Sequence, residues 1–192
     1  MQAARGTSLS DADTPTADRR TPRRWLLFVA VAAVLYAVDQ VTKAWAVSAL
    51  EGRDDRPLVG ELLQLHLTYN PGAAFSLGTD FTVILSCVSA AAAVAVLWFS
   101  RRLGSTLWAV ALGFLLAGVV GNLTDRVLRD PGPLRGHVVD FLMLPNWPIF
   151  NIADVCINIA AGLILIQAFR GIRLDGTRTT DGVDDAQEDE DA

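Results

Sequence analysis

The stretch IFNIADVCINIAAGLILIQAF, residues 149–169, predicts a helix that crosses a lipid bilayer, because it is apolar and close to the required length of about 20 residues. Its only acidic residue, Asp154, lies near the start of the stretch, where hydrocarbon makes a charge costly. Ionisable residues inside membrane segments are functional candidates by default. Asp154 is therefore the first residue whose presence needs an explanation.

Three further segments of the 192-residue chain are apolar and long enough to span a membrane. They are residues 25–48, 81–100 and 103–124. Backbone polar groups in lipid must bond within the chain, and the segments lack the alternation of a barrel, so we expect four helices. Small residues that permit close helix packing recur in the third and fourth spans; they are Gly113, Gly118, Gly121, Ala160, Ala161 and Gly162.

The first span has an alternative interpretation as a cleaved signal peptide, since a basic run precedes its uncharged residues 25–38. The apolar stretch resumes after Gln40, and three more spans follow. We therefore expect a retained helix.

The two ends of the chain differ from this apolar middle. Residues 1–24 are polar and end in a basic run, and residues 175–192 contain eight acidic residues and one arginine. Neither end has apolar periodicity. We expect disordered cytoplasmic tails at 1–24 and 171–192, and one membrane domain at 25–170.

Positive residues predict the orientation of the helices. Arginines cluster before the first span, between the second and third, and after the fourth; they are Arg19, Arg20, Arg23, Arg24, Arg101, Arg102, Arg170 and Arg173. By the positive-inside rule these regions and both termini are cytoplasmic. Residues 49–80 and 125–148 then face outward, although arginines in those segments weaken the signal.

Residues 63–69, in the first outer segment, alternate between apolar and polar side chains, which is typical of a half-buried strand. The sequence NPG at 70–72 predicts a turn after this strand. The predicted fold is a mainly α membrane protein with four transmembrane helices and a small extracytoplasmic β element between the first two.

Neither a cofactor nor a metal is expected. Cys87 and Cys156 lie in apolar stretches without paired spacing, and His66 and His137 are the only imidazoles. The chain lacks a glycine-rich phosphate loop and a Ser-His-Asp signature. Its basic residues lie at helix ends rather than with aromatic residues on one face, so nucleic acid is not an expected partner.

Two groups of polar residues in the spans predict structural networks. Asp39 and Lys43 are four residues apart on one helix face and can form an ion pair. At the end of the third span, Asn122, Asp125 and Arg126 also share a face. We expect a second network there, with Arg126 available for the polar part of a substrate.

Asp140 and Asp154 differ from these, because neither has a lysine or arginine within four residues. Asn151 and Asn158 lie on the same helix face as Asp154. Two carboxyl groups brought together near lipid share a proton, so that one can activate water while the other polarises a carbonyl. A single acid at a helix start is also explained by the helix dipole, and spacing alone leaves Asp125 open as the partner of Asp154.

Five stretches, in this order, resemble lipoprotein signal peptidase (signal peptidase II), a membrane aspartyl protease of bacteria. They are DQVTKAW at 39–45, YNPGAAFS at 69–76, GNLTDR at 121–126, VVDF at 138–141 and FNIAD at 150–154. The resemblance covers about residues 25–170. The chain departs from the pattern of this family at RDPGPLR, residues 129–135, which lengthens the link between the third and fourth stretches.

The resemblance implies an enzyme that removes signal peptides from prolipoproteins, cutting before a diacylglyceryl-modified cysteine at the outer face of the bacterial cytoplasmic membrane. It implies that Asp140 and Asp154 are the catalytic pair and that no cofactor is required. The positions expected to bind substrate or support the site are Asp39, Lys43, Asn70, Gly72, Asn122, Asp125, Arg126 and Asn151. The expected partners are prolipoprotein substrates and membrane lipids, and the expected state is a monomer.

Two other classes of function fit the polar residues without the resemblance. A small transporter or proton-pathway subunit would distribute acids through the membrane depth, whereas the acids here gather toward one side. A non-catalytic scaffold would tolerate replacement of Asp140 and Asp154 by asparagine, and a protease would not.

Overall fold

The structure is a computed structural model that describes residues 20–72 and 79–179, with side chains from residue 23 and, after the gap, from residue 82. Most of the predicted tails, residues 1–19 and 180–192, therefore lie outside the described residues.

Four helices make up most of the described chain. They are α1 (Arg20–Leu50), α2 (Thr79–Phe99), α3 (Thr106–Leu128) and α4 (Ile152–Phe169). A short 3₁₀ helix, Ser100–Arg102, joins α2 to α3. Four candidate spans within these elements are long and apolar enough to cross a membrane, so the four-helix prediction is confirmed.

The central helix of the bundle is α3, which contacts each of the other three. Half of the residues in its most apolar 18-residue stretch are buried, whereas the buried share of the corresponding stretches is 17–22% in α1, α2 and α4. Glycine makes this close approach possible, because a Cβ at Gly118 would lie 2.5 Å from the backbone oxygen of Ala153 in α4. The prediction of close packing was wrong for Ala161 and Gly162, which are both exposed. A Cβ at Gly162 would have no neighbour within 4 Å among the described residues.

A three-stranded antiparallel sheet completes the fold, in the order β1 (Arg56–Val59), β2 (Leu63–Asn70) and β3 (Val138–Met143). The strand predicted at 63–69 is confirmed as β2. Neither β1 nor β3 was predicted from the sequence. Because β3 comes from the link between α3 and α4, the sheet joins the two segments that were predicted to face outward.

The sheet packs against one end of the helix bundle. Val139 and Phe141 of β3 form a buried apolar cluster with Ala46 and Leu50, in the last turns of α1. The pairing of Thr68 with Asp140 aligns β2 and β3 at this end. As a result, a strand bearing Asp140 lies beside the start of α4, which bears Asp154.

The opposite end of the bundle is closed by the residues that follow α4. The described residues 171–179, which were assigned to the C-terminal tail, form a turn with a bridge between Ile172 and Arg178. Gly104 donates a backbone hydrogen bond to Leu174 at 2.9 Å, and Trp108 donates its indole N–H to Ile172 at 3.0 Å. This turn thus fixes the link between α2 and α3.

The packing of α3 on α4 predicts opposite effects of one substitution at two glycines. Gly118→Ala should lower the free energy of unfolding by about 1–3 kcal/mol, because its Cβ would clash with α4 backbone. Gly162→Ala should be neutral or stabilising, since its Cβ enters open space and alanine favours the helix. Thermal unfolding in detergent measures both, and equal effects at the two sites would contradict the packing.

Candidate functional site

The start of α4 is fixed by a capping box between Asn151 and Asp154. The side-chain oxygen of Asn151 accepts from the backbone N–H of Asp154 at 3.0 Å, and Oδ2 of Asp154 accepts from the backbone N–H of Asn151 at 3.1 Å. Oδ1 of Asp154 accepts from Nδ2 of Asn122 at 2.8 Å. The helix-start explanation therefore accounts for one oxygen of Asp154 and leaves the second for the site.

Asp140 lies on β3 with only 1% of its surface exposed. Its two carboxylate oxygens accept hydrogen bonds from Nδ2 of Asn151 at 2.6 Å and from Nδ2 of Asn70 at 2.8 Å. Burial raises the pKa of Asp140 to about 6, and the charge of Asp154 acts in the same direction. The two amide donors oppose this rise in pKa because they favour the ionised carboxylate.

Asn151 holds both carboxyl groups. Its side-chain amide donates to Asp140, while its backbone N–H and side-chain oxygen engage Asp154. The structure therefore brings together the two acids that the sequence separates by fourteen positions. Asn158, expected to flank Asp154, is exposed and donates to the backbone carbonyl of that residue instead.

Lys43 is the only lysine in the chain, and its side chain is fully buried. Its Nζ lies 3.0 Å from Oδ2 of Asp39, 2.8 Å from Oδ2 of Asp125 and 3.0 Å from Oδ1 of Asn122. The Asp39–Lys43 pair expected from sequence is present. It is continuous with the network at the end of α3, although the sequence predicted two separate networks.

The two acids that hold Lys43 also bind the elements that carry the candidate pair. Oδ1 of Asp39 accepts from the backbone N–H of Ala153 at 2.9 Å, at the start of α4. Oδ2 of Asp125 accepts from the backbone N–H of Val139 at 3.3 Å, on β3. Both oxygens of Asp125 form ion pairs, with Lys43 and Arg129, whereas Asn151 binds Asp140 as well as Asp154, so the geometry favours Asp140 as the partner that spacing left open.

Asn122 connects the charged network to the candidate pair. Its Oδ1 accepts from Lys43 and from Nδ2 of Asn151 at 3.1 Å, and its Nδ2 donates to Asp154. Amide groups with these fixed partners orient the carboxylate of Asp154 without adding a charge.

Arg126 lies beside the pair without forming an ion pair among the described side chains. Its Nη1 is 3.4 Å from the backbone oxygen of Asn122, and its Nε is buried with no described partner. The guanidinium charge interacts with Asp154, Asp140 and Asp125. A buried donor of this kind is a candidate to bind an ordered water or an acceptor on a ligand.

Gly72 shapes the turn that carries Asn70. Its backbone N–H donates to Oδ1 of Asn70 at 2.8 Å, and its φ of 105° favours glycine. A Cβ at this position would also lie 2.7 Å from Cδ1 of Leu85. Gly72 thus supports the orientation in which Asn70 donates to Asp140.

Arg129 was not identified from the sequence, although its Nε lies 2.5 Å from Oδ1 of Asp125. The i,i+4 spacing of this pair was a usable signal, since the same spacing identified Asp39 and Lys43.

Within the part of the chain that the structure describes, no group of three or more His, Cys, Asp or Glu side chains could hold a metal ion.

Comparisons with known proteins match most of the chain. A family model described as signal peptidase (SPase) II matches residues 31–170. A lipoprotein signal peptidase of Leifsonia xyli subsp. xyli is 44% identical over 88% of this chain and 78% of its own length. One of Mycobacterium tuberculosis strain H37Rv is 42% identical over 84% of this chain and 81% of its own length.

Two solved structures described as bacterial membrane enzymes share the fold. One is 28% identical with a TM-score of 0.66, covering 73% of this chain and 91% of its own. The other, also 28% identical, has a TM-score of 0.64 and covers 74% of this chain and 87% of its own.

The buried position of Lys43 predicts a large loss of stability in Lys43→Met. The substitution leaves Asp39 and Asp125 without their shared cation, which should cost about 3–5 kcal/mol. Arg101→Met is the control, because Arg101 is exposed between α2 and α3 and its side chain has no described partner. Unfolding in detergent measures both variants, and a Lys43→Met protein as stable as Arg101→Met would contradict the network.

Proposed function

Because this chain belongs to the signal peptidase II family, we propose that it is an aspartic endopeptidase whose catalytic pair is Asp140 and Asp154. It is a multi-pass membrane peptidase that removes signal peptides from prolipoproteins. The proposed cleavage is at the peptide bond before a diacylglyceryl-modified cysteine. The aspartic mechanism, the residues and the cleavage position are inferred from motifs and geometry.

The observation that carries this proposal is the hydrogen bonding of both carboxyl groups to Asn151. Neither Asp140 nor Asp154 forms an ion pair with a lysine or arginine among the described side chains, so neither carboxylate has a cation in direct contact that would hold it ionised. Two neighbouring carboxyl groups in this situation share one proton. Asp140 is buried and Asp154 is only half-buried, which leaves one side of the pair accessible.

A shared proton provides both functions that peptide hydrolysis needs. The ionised carboxylate takes a proton from a water molecule, whose oxygen attacks the carbonyl carbon of the substrate. The protonated carboxyl group donates a hydrogen bond to the carbonyl oxygen and stabilises the tetrahedral intermediate. When the C–N bond breaks, a proton passes to the leaving amine, and the pair regains its single proton.

Other site residues have supporting roles in this proposal. The Nε of Arg126, which has no partner within the described part of the chain, is a donor for a carbonyl oxygen of the substrate near the cleaved bond. Asn122 orients Asp154, and Asn70 holds Asp140 on its second oxygen. Lys43 stabilises the elements that carry the pair rather than contacting substrate, since its three described partners are all protein side chains.

The geometry also supports the proposed orientation in a bacterial cytoplasmic membrane. The candidate pair lies at the sheet end of the bundle, and the arginines that favour the cytoplasm flank the opposite ends of the helices. The site would then face outward, with both termini in the cytoplasm. All residues proposed for the site come from one chain, which supports a monomer.

Cleavage of a lipidated prolipoprotein tests the proposal directly. Asp140→Asn and Asp154→Asn should each lose at least about a thousandfold in kcat, because an amide cannot act as base or share the proton. Asp130→Asn, in an exposed part of the link between α3 and β3, should cleave like the parent. A gel-shift assay in detergent measures all four proteins against substrate with and without its diacylglyceryl group.

Near-parent activity in either variant of the pair would disprove the assignment and make Asp125 the next candidate. Equal cleavage of substrate with and without the diacylglyceryl group would contradict the proposed specificity. Loss of folding is checked by comparing the thermal unfolding of each variant with that of the parent.

The pH dependence of kcat/KM provides a second test. Above the pKa of Asp140, about 6, both carboxyl groups are ionised and the pair has no acid, so activity should fall on the alkaline side. Asn70→Ala removes a hydrogen bond that favours the ionised carboxylate, so this fall should begin roughly one pH unit higher. Asn158→Ala should leave the alkaline limb unchanged, and an identical alkaline limb in both variants would contradict the role of Asn70.

A further inference from the structure

The segment that lengthens the link between α3 and β3 begins with Arg129, whose Nε lies 2.5 Å from Oδ1 of Asp125. We propose that Arg129 is a positioning residue for the catalytic pair, acting through Asp125 and Lys43. This inference rests on the proposed function, because it assigns a catalytic consequence to a residue that does not touch the substrate.

The buried charges around Asp125 do not balance without Arg129. Asp39 and Asp125 are each 1% exposed and Lys43 is fully buried, so these three groups alone carry a net charge of −1 inside the protein. A buried charge without compensation is costly. Arg129, with 29% of its side chain exposed, brings the four charges to zero.

The contacts of Asp125 give a route from Arg129 to the pair. One oxygen of Asp125 binds Arg129, and the other binds Nζ of Lys43 at 2.8 Å. Lys43 in turn donates to Oδ1 of Asn122, whose amide donates to Asp154. Without Arg129, Asp125 would draw Lys43 away from Asn122, and the orientation of Asp154 would be less well fixed.

The backbone around Arg129 is held in place by several hydrogen bonds. The N–H of Gly136 donates to the carbonyl of Arg126 at 2.9 Å, and the N–H of His137 donates to that of Asp130 at 3.0 Å. The hydroxyl of Ser86, on α2, donates to the carbonyl of Leu134 at 2.8 Å. A link with this many internal contacts presents Arg129 in a defined position.

Arg129 also borders an open cavity of about 560 Å³ on the sheet end of the protein. The titratable and charged groups that line it with Arg129 are Glu51, Tyr69, Asp130 and His137. On the buried side, Asp125 contacts Lys43, which also binds Asp39 of α1. The charge of Arg126, on α3, interacts with Asp125, with Asp140 of β3 and with Asp154 of α4. The pH profile of a variant must therefore be compared with that of the parent and of a matched arginine variant.

The simplest alternative is that the Asp125–Arg129 pair only stabilises the end of α3, as i,i+4 pairs commonly do. Such a role would change the amount of folded protein. It would not change the kcat or the pH profile of the folded fraction. The kcat and the pH profile of the folded fraction therefore distinguish a positioning role of Arg129 from a purely structural one.

The test compares Arg129→Gln and Arg129→Lys with Arg135→Gln, using the full chain in detergent and a lipidated prolipoprotein. Arg135 belongs to the same segment, is exposed and has no described side-chain partner. Arg129→Gln should lower kcat about tenfold with little change in KM, and should move the limbs of the pH profile to higher pH, since loss of a positive charge favours protonated carboxyl groups. Arg129→Lys should retain most of the activity and the parent profile, and Arg135→Gln should match the parent.

An Arg129→Gln protein with parent kcat and pH profile would overturn the inference. A lower yield of folded protein with unchanged kcat would overturn it equally, in favour of the structural role. Asp140→Asn is measured in the same assay. If that variant is inactive while Arg129→Gln behaves like the parent, only this inference fails, whereas an active Asp140→Asn enzyme would contradict the proposed function itself.

Discussion

The buried ammonium group of Lys43 is the contact on which the arrangement of the site depends. It joins Asp39 on α1 to Asp125 on α3, and these two acids accept backbone hydrogen bonds from the start of α4 and from β3. One cation thus holds together the elements that carry Asp154 and Asp140. The pair itself forms no ion pair among the described side chains, and its hydrogen bonds come from the amides of Asn70, Asn122 and Asn151. Neutral donors of this kind let two carboxyl groups remain close together with one shared proton.

Much of the fold could be predicted from sequence because the lipid environment simplifies the problem. An apolar segment long enough to span the bilayer must be helical, so segment length alone predicted four helices. Alternation predicted β2, which has one face on the bundle. β3 was missed because its first four residues, Val138–Phe141, are buried on both faces and show no alternation. Gly162 was placed wrongly because composition does not indicate which side of a helix faces its neighbours.

The site was predictable only in part, for a related reason. Helical spacing identifies contacts within one helix, so it found the Asp39–Lys43 pair but could not show that Lys43 also reaches Asp125. The same limit left Asp125 and Asp140 equally possible as partners of Asp154. The motif resemblance selected Asp140, and the geometry supports that selection through Asn151, a contact between a strand and a helix start that no sequence period encodes.

The most direct measurement of the central claim is a structure of the protein with a lipidated peptide in which a hydroxyl-bearing carbon replaces the carbonyl of the cleaved bond. Such a group imitates the tetrahedral intermediate. We predict that its hydroxyl oxygen lies within hydrogen-bond distance of both Asp140 and Asp154, with Arg126 donating to the peptide backbone. A hydroxyl bound to Asp125, or to only one of the proposed pair with the other carboxylate turned away, would contradict this assignment.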